Sequence, residues 1–219
     1  MQQLDHPQIK RCLAKCLPEF SEINHFWDSE LNIVVAKILP GEFYMTSNHI
    51  AITTTLGSCV SACIWDKSRN IGGMNHFMLP FTEKEAHEVN WGQKEKVADA
   101  SRYGNFAMEH LINAILKNGG IKDNLRAKIF GGGNVTKQSF NIGQKNTDYA
   151  YEYLDEEGIK VEGEDVGDVY PRKLIFEPFS GRAYVKNLKI YHTDTIIKRE
   201  KDYSYNIAHE GVDGDVELF

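Results

Sequence analysis

The sequence is short of the features that mark several large protein classes. Four cysteines in 219 residues, Cys12, Cys16, Cys59 and Cys63, are too few and too unevenly placed for a disulfide framework, so they are read as reduced thiols. Cys12 and Cys16 stand four apart, but no second Cys or His pair with zinc-ligand spacing accompanies them, and no metal is expected. The opening MQQLDHPQIKRC lacks the apolar core of a signal peptide. No later stretch approaches the roughly 20 apolar residues that span a bilayer, so membrane insertion is not expected and a cytoplasmic location is. Lysine- or arginine-rich runs are missing too, and with a net charge of -6 the chain offers no field to attract phosphate backbones. Nucleic acid is therefore not an expected partner. Internal repeats and low-complexity segments are absent.

What remains is an ordinary globular texture, with 42% hydrophobic and 26% charged residues, in a length that one core can serve. We read a single domain over 1–219, with an accessory arm at 1–32, a core at 33–187 and a polar tail at 188–219. The arm carries scattered apolar positions that fit one or two short helices. From LNIVVAKILPGEFYMT the pattern becomes β-branched and aromatic, broken by Pro40-Gly41, which reads as strand, turn, strand. HIAITTTLGSC and VSACIWD, the polar DKSRN, and IGGMNHFMLP then give a hairpin signal.

Between Lys94 and Gly119, apolar residues from Val97 to Leu116 recur at three- and four-residue steps, predicting a helix closed by Gly119-Gly120. A strand AKIF at 127–130 runs into Gly131, Gly132, Gly133 and Asn134, read as a tight turn beside the cleft because it lacks the spacing of a phosphate loop. A second helix is expected at about 146–157 with Asn146 as N-cap. Strand-like IKVEGEDVG, KLIFEP and GRAYVK follow. The mixture points to an α/β (α+β) layered sandwich, a mixed sheet core with hairpins and about three helices, not a doubly wound parallel sheet.

Cys59 follows Gly57-Ser58, and His76 lies seventeen positions later on the expected partner strand. A hairpin centred between Lys67 and Ser68 would make them direct cross-strand neighbours, with Cβ atoms about 4.5 to 5.5 Å apart. A thiol needs a lowered pKa or an adjacent base to act as a nucleophile, and a histidine supplies both. The alternative is a buried small hydrophobe beside a hydrogen-bonded core histidine. Gly57 would let substrate backbone approach and leave amide N–H groups free for an oxyanion. One of Thr53, Thr54 and Thr55 could orient the imidazole, and sequence physics does not choose among them. His49, His87, His110, His192 and His209 lack ligand spacing and are assigned to surface or packing roles.

TTTLGSCVSACIWD followed by IGGMNHFMLP resembles the signature of the CheD family of chemoreceptor glutamine deamidases. KILPGEFYMT at 37–46, RYGNFAMEHLINAI at 102–115, AKIFGGGN at 127–134 and IGQKN at 142–146 extend the likeness over roughly 33–187. The resemblance implies a sandwich related to the cytotoxic necrotising factor toxins and a Cys-His-Thr triad. By position the triad is Cys59, His76 and Thr53, the last taken as the threonine six before the cysteine. It implies deamidation of glutamine on the helical cytoplasmic region of methyl-accepting chemotaxis receptors, without a cofactor, and a CheC phosphatase as a possible partner. A non-catalytic receptor- or CheC-binding regulator is the rival reading; a general cysteine protease lacks the papain-type signature. Tyr170-Pro171 departs from the family's usual small residues, which touches the rim of the cleft and not the triad, and Gly133-Asn134 stands where the family loop more often has Ala and Met.

Overall fold

A computed structural model describes residues 6–79, 94–135, 140–188 and 193–209. Among these, four helices accompany two five-stranded sheets. The first sheet has the order β1-β2-β4-β9-β10, built from β1 (Asn24–Asp28), β2 (Ile33–Lys37), β4 (Ile50–Leu56), β9 (Arg172–Glu177) and β10 (Arg182–Asn187). The second runs β3-β6-β5-β7-β8, from β3 (Phe43–Thr46), β6 (Ile71–Asn75), β5 (Val60–Asp66), β7 (Leu125–Gly131) and β8 (Lys160–Val166). Each sheet holds one parallel pair, β2 with β4 and β7 with β8, and is otherwise antiparallel. The expected mixed α/β layering is therefore observed, as two mixed sheets.

The alternation of β4 explains the layering. Ile50, Ile52 and Leu56 join the large core shared by both sheets, whereas Ala51 belongs to a small separate cluster with Ile33 and Val35. Because strand side chains alternate with period 2, the even positions of β4 face the space between the sheets and the odd ones face away. Across that space Trp65 of β5 meets Phe176 of β9, with ring centroids 5.9 Å apart. Every residue of β5 is buried, because the other face of its sheet is covered by α2 (Lys94–Lys117) and α3 (Phe140–Glu156). Gly73 of β6 lets α2 approach: a Cβ there would lie 2.7 Å from Leu111.

Several expectations shift at their edges. The arm holds α1 (Pro7–Leu13) and a 3-10 turn, Pro18–Phe20, but also β1, which pairs antiparallel with β2. The sheet thus begins inside the arm, upstream of residue 33. Helix α3 starts at Phe140, so Asn146 lies in its interior and is not an N-cap. The polar tail contributes α4 (Thr193–His209). Pro40-Gly41 does turn the chain: Glu42 N–H donates to Leu39 O at 3.0 Å and Gly41 has φ 86, as a type II turn requires. It joins strands of different sheets, so no hairpin forms there.

The β5–β6 hairpin exists with a displaced register. Asp66 pairs with Ile71 and Cys63 with Met74, so the loop is 67–70 and its centre lies one residue beyond the expected position. Asp66 sets this loop, its carboxylate accepting from Ser68 N–H at 2.9 Å and Ser68 Oγ at 2.6 Å. Asn70 closes it in the left-handed region, at φ 52. The same carboxylate accepts from Ile121 N–H at 3.0 Å, tying the loop to the segment after α2. Asp66→Ala should cost about 2 kcal/mol, since it leaves three part-buried donors, Ser68 N–H, Ser68 Oγ and Ile121 N–H, without their acceptor. Urea denaturation checks this, and a midpoint equal to that of the parent chain would refute it.

Candidate active site

The displaced register changes how Cys59 and His76 meet. An isolated bridge pairs Val60 with Phe77, so continuing the ladder sets Cys59 opposite Met78 and leaves His76 on the diagonal. A displacement of two residues at one end keeps every side chain on its own face, and diagonal neighbours remain within reach of a long side chain. The thiol and imidazole therefore still converge. Ligand atoms of Cys59, His76 and Glu200 all lie within 4.8 Å of one another.

His76 is held from both sides. Its backbone brackets the Pro40-Gly41 turn, with Gly41 N–H donating to His76 O at 2.8 Å and His76 N–H donating to Glu42 O at 2.9 Å. Its Nδ1 lies 2.7 Å from Thr54 Oγ1. That hydroxyl donates its only proton to Ile38 O at 2.9 Å, so it must accept from the ring. The imidazole is fixed as the Nδ1–H tautomer, and Nε2, buried and without a hydrogen-bond partner among the described residues, keeps its lone pair.

The hydroxyl bonded to the ring is that of Thr54, the neighbour of the expected Thr53. Thr53 Oγ1 donates instead to Leu174 O of β9 at 2.7 Å. The cause is the strand period: Thr54 shares the inward face of Ile50 and Ile52, and Thr53 does not.

At Gly57, Ser58 and Cys59 the chain turns its amides one way and its carbonyls the other. Gly57 O accepts from Gly133 N–H at 2.7 Å, Ser58 O from Asn146 Nδ2 at 2.9 Å, and Cys59 O from Gly132 N–H at 2.8 Å. Gly131-Gly132-Gly133 is thus a tight turn, as the sequence indicates, and it packs on the Cys59 segment, with φ 110 at Gly131 and 63 at Gly132. Asn146 also accepts from Leu79 N–H at 2.8 Å, tying the Cys59 segment to the chain just beyond His76. This bridge replaces the expected cap; the IGQKN block points to the position but not to this use.

The three amide N–H groups converge on a side chain that the sequence pattern does not single out. Glu200 Oε1 accepts from Gly57 N–H at 2.8 Å and Cys59 N–H at 3.2 Å, and Oε2 from Ser58 N–H at 2.9 Å and Ser58 Oγ at 2.7 Å. Successive backbone donors of this kind form an anion-binding nest, and each such charge-assisted bond stabilises by about 1.5–3 kcal/mol. Gly57 makes room, because a Cβ there would lie 2.8 Å from both Glu200 oxygens. Cys59, His76 and Glu200 are also ligand types that suit zinc, but both carboxylate oxygens are already engaged by these four donors.

The site's electrostatics favour neutral forms. Burial pushes the Cys59 thiol up, and the charge and hydrogen bond of Glu200 push it further. This reverses the expected lowering by a neighbouring imidazole. Burial, helped by the charge of Arg199, holds His76 down at about 3 from its ordinary 6.5. Of the lone histidines, His49 stacks on Phe179 at 3.9 Å and His110 packs against Phe43 and Phe106. His87 and His192 lie outside the described residues.

A family model described as CheD chemotactic sensory transduction matches residues 78–187. The chain is also 49% identical over 209 residues to a probable chemoreceptor glutamine deamidase CheD of Methylobacillus flagellatus, covering 94% of this chain and all of that one. The chain belongs to the CheD family. Probable chemoreceptor glutamine deamidases CheD of Halorhodospira halophila and Hahella chejuensis are 46% and 45% identical to it, across 93% of both chains in each case. The CheD family model thus begins just beyond His76, whereas the likeness to whole CheD relatives takes in the Cys59 segment.

The buried neutral histidine has a consequence for stability. Unfolded, His76 takes up a proton near pH 6.5; folded, it refuses one until about pH 3. The unfolded state then binds more protons, so this contribution is full above about pH 6.5 and is lost as pH falls toward 3. Urea unfolding across that window should show the decline, and His76→Gln should flatten it. An equal slope in both proteins would remove His76 as its source.

Proposed function

We propose that this chain deamidates glutamine side chains of chemoreceptors, with Cys59 as nucleophile, His76 as acid–base group and Thr54 as the residue that orients the imidazole. The observation that carries this reading is the lone pair of His76 Nε2, unpartnered in a buried site beside a thiol and a nest of three N–H donors. It is supported by membership of a family whose relatives are named for this reaction.

In the reaction Nε2 takes the proton of the Cys59 thiol, and the sulfur attacks the carboxamide carbon of a substrate glutamine. The tetrahedral oxyanion takes up the N–H groups of Gly57, Ser58 and Cys59, donors fixed in place before the charge develops. The imidazolium then protonates the amide nitrogen, without which that nitrogen would be too poor a leaving group, and ammonia departs. A thioester remains. His76 next removes a proton from water, which attacks the thioester carbon; collapse returns the proton to the sulfur and leaves glutamate. No step calls on a cofactor.

The substrate in this reading is the helical cytoplasmic part of a methyl-accepting receptor, which sets the protein's work in the cytoplasm. No described helix is long and apolar enough to cross a membrane. The reading extends to a kinship with the deamidase domain of cytotoxic necrotising factor toxins and to CheC as a docking partner.

Intact mass of a receptor cytoplasmic fragment incubated with the protein tests it. Conversion should appear with the parent chain and vanish with Cys59→Ala. Thr54→Val should slow conversion about tenfold or more, a share of the roughly 10²–10⁴ that general acid–base catalysis contributes, and Thr53→Val should slow it less. Equal conversion by Cys59→Ala would sink the assignment, and a reversed threonine order would return the orienting role to Thr53.

A further inference from the structure

Glu200 reaches the nucleophile from another element, 141 residues downstream of Cys59 in the chain. Its helix, α4, meets the cleft along one narrow stripe. Ile196 and Glu200 are buried and Tyr203 is half-buried, at i, i+4 and i+7, whereas Lys198, Arg199, Lys201, Asp202 and Tyr205 lie off that stripe, Tyr205 among the exposed residues. Tyr203 pairs its hydroxyl with that of Tyr103 and lays its ring over Gly41, where a Cβ would lie 2.9 Å from it. Gly41 belongs to the turn that holds His76.

The product of the proposed reaction is a glutamate side chain carried on a helix. Glu200 is a glutamate carried on a helix, its carboxylate in the nest where the oxyanion would form. Resting on the deamidase reading, we propose that α4 is a tethered product mimic that closes the Cys59 cleft, and that a substrate helix displaces it before presenting its own glutamine. The surface α4 covers then describes the partner: a helix with an apolar residue four positions before the target and an aromatic or similarly flat residue three after it.

The charges of α4 fit this role. Glu200 opposes a thiolate at Cys59, and the adjacent Arg199 opposes an imidazolium at His76. The Glu200 carboxylate also lies within 4.8 Å of a His76 ring nitrogen, where its charge favours an imidazolium, so the departure of α4 relieves the thiolate above all.

Two full-length variants test the proposal. Ile196→Asp loosens the stripe and touches neither thiol nor imidazole. It should let iodoacetamide modify Cys59 about tenfold faster or more, the accessible fraction being set by the closing equilibrium, and should speed conversion of a receptor fragment. Tyr203→Ala, which frees Gly41, should act in the same direction. Cys59 alkylation at the parent rate in both variants, with the fold intact by circular dichroism, overturns the closure.

Glu200→Gln converts the mimic into a substrate. The carbonyl oxygen of the new carboxamide can take the place that accepts from Gly57 and Cys59, with the amide nitrogen donating to the Ser58 hydroxyl and the Ser58 N–H losing its acceptor. The variant should convert residue 200 back to glutamate at a rate independent of protein concentration, consuming one water and releasing one ammonia. The same variant carrying Cys59→Ala should not. If the introduced carboxamide persists while a receptor fragment is converted, the product-mimic seating is wrong and the deamidase reading stands. If neither is converted by any variant with an intact fold, the deamidase reading itself falls, and the alkylation rates alone decide whether α4 closes the cleft.

Discussion

The site depends on one backbone constraint: the peptide groups of Gly57, Ser58 and Cys59 must face their carbonyls into the protein and their amides into the cleft. Three consecutive N–H groups withdrawn from any strand ladder would be costly if left unpaired, since buried backbone donors are almost always satisfied. The protein secures the carbonyl side with Gly133, Asn146 and Gly132. The amide side is left for an acceptor, here the Glu200 carboxylate and in the proposed reaction an oxyanion. The glycines of the FGGGN turn follow from this demand. A Cβ at Gly133 would lie 2.9 Å from Gly57 O, and Gly131 and Gly132 need positive φ.

Much of this is legible in the chain, and the misses have physical causes. The thiol, the imidazole and their shared hairpin follow from strand texture and spacing. The loop sits one residue from its expected centre because Asp66 caps it with a side chain and Asn70 closes it in the left-handed region, which moves the centre without changing which face either side chain takes. Parity therefore protects the pairing that the register itself does not. Thr54 is within reach of the sequence: the alternation Ile50, Ile52, Thr54, Leu56 marks the inward face of β4. Position counted along the chain chooses Thr53, where the period of the strand chooses its neighbour.

Asn146 and Glu200 are legible only in outline. An asparagine near a helix start reads as a cap, and its use here, bridging Ser58 O and Leu79 N–H, depends on α3 packing beside β5 and β7. Glu200 lies in a polar helix whose charges are the ordinary composition of a solvated surface. The one sequence trace of its docking is the stripe Ile196, Glu200, Tyr203, which names a face but not what it covers.

The proposed closure by α4 also explains why a site proposed for thiol chemistry holds a thiol that resists ionisation. In a dry, closed pocket the neutral thiol and neutral imidazole are the low-energy pair, because separating charge there loses the solvation that water would supply. Glu200 and Arg199 add to that preference from opposite signs. Exchange of α4 for a neutral carboxamide removes the carboxylate that opposes the thiolate, while the nest that held it finds only a polarised carbonyl. Its donors are then best satisfied by the oxyanion of the tetrahedral intermediate, so part of the attraction that held α4 in place is recovered only as the reaction proceeds. On this argument the strength of the closed state and the stabilisation of the transition state come from the same three amides, and a change that weakens one must weaken the other.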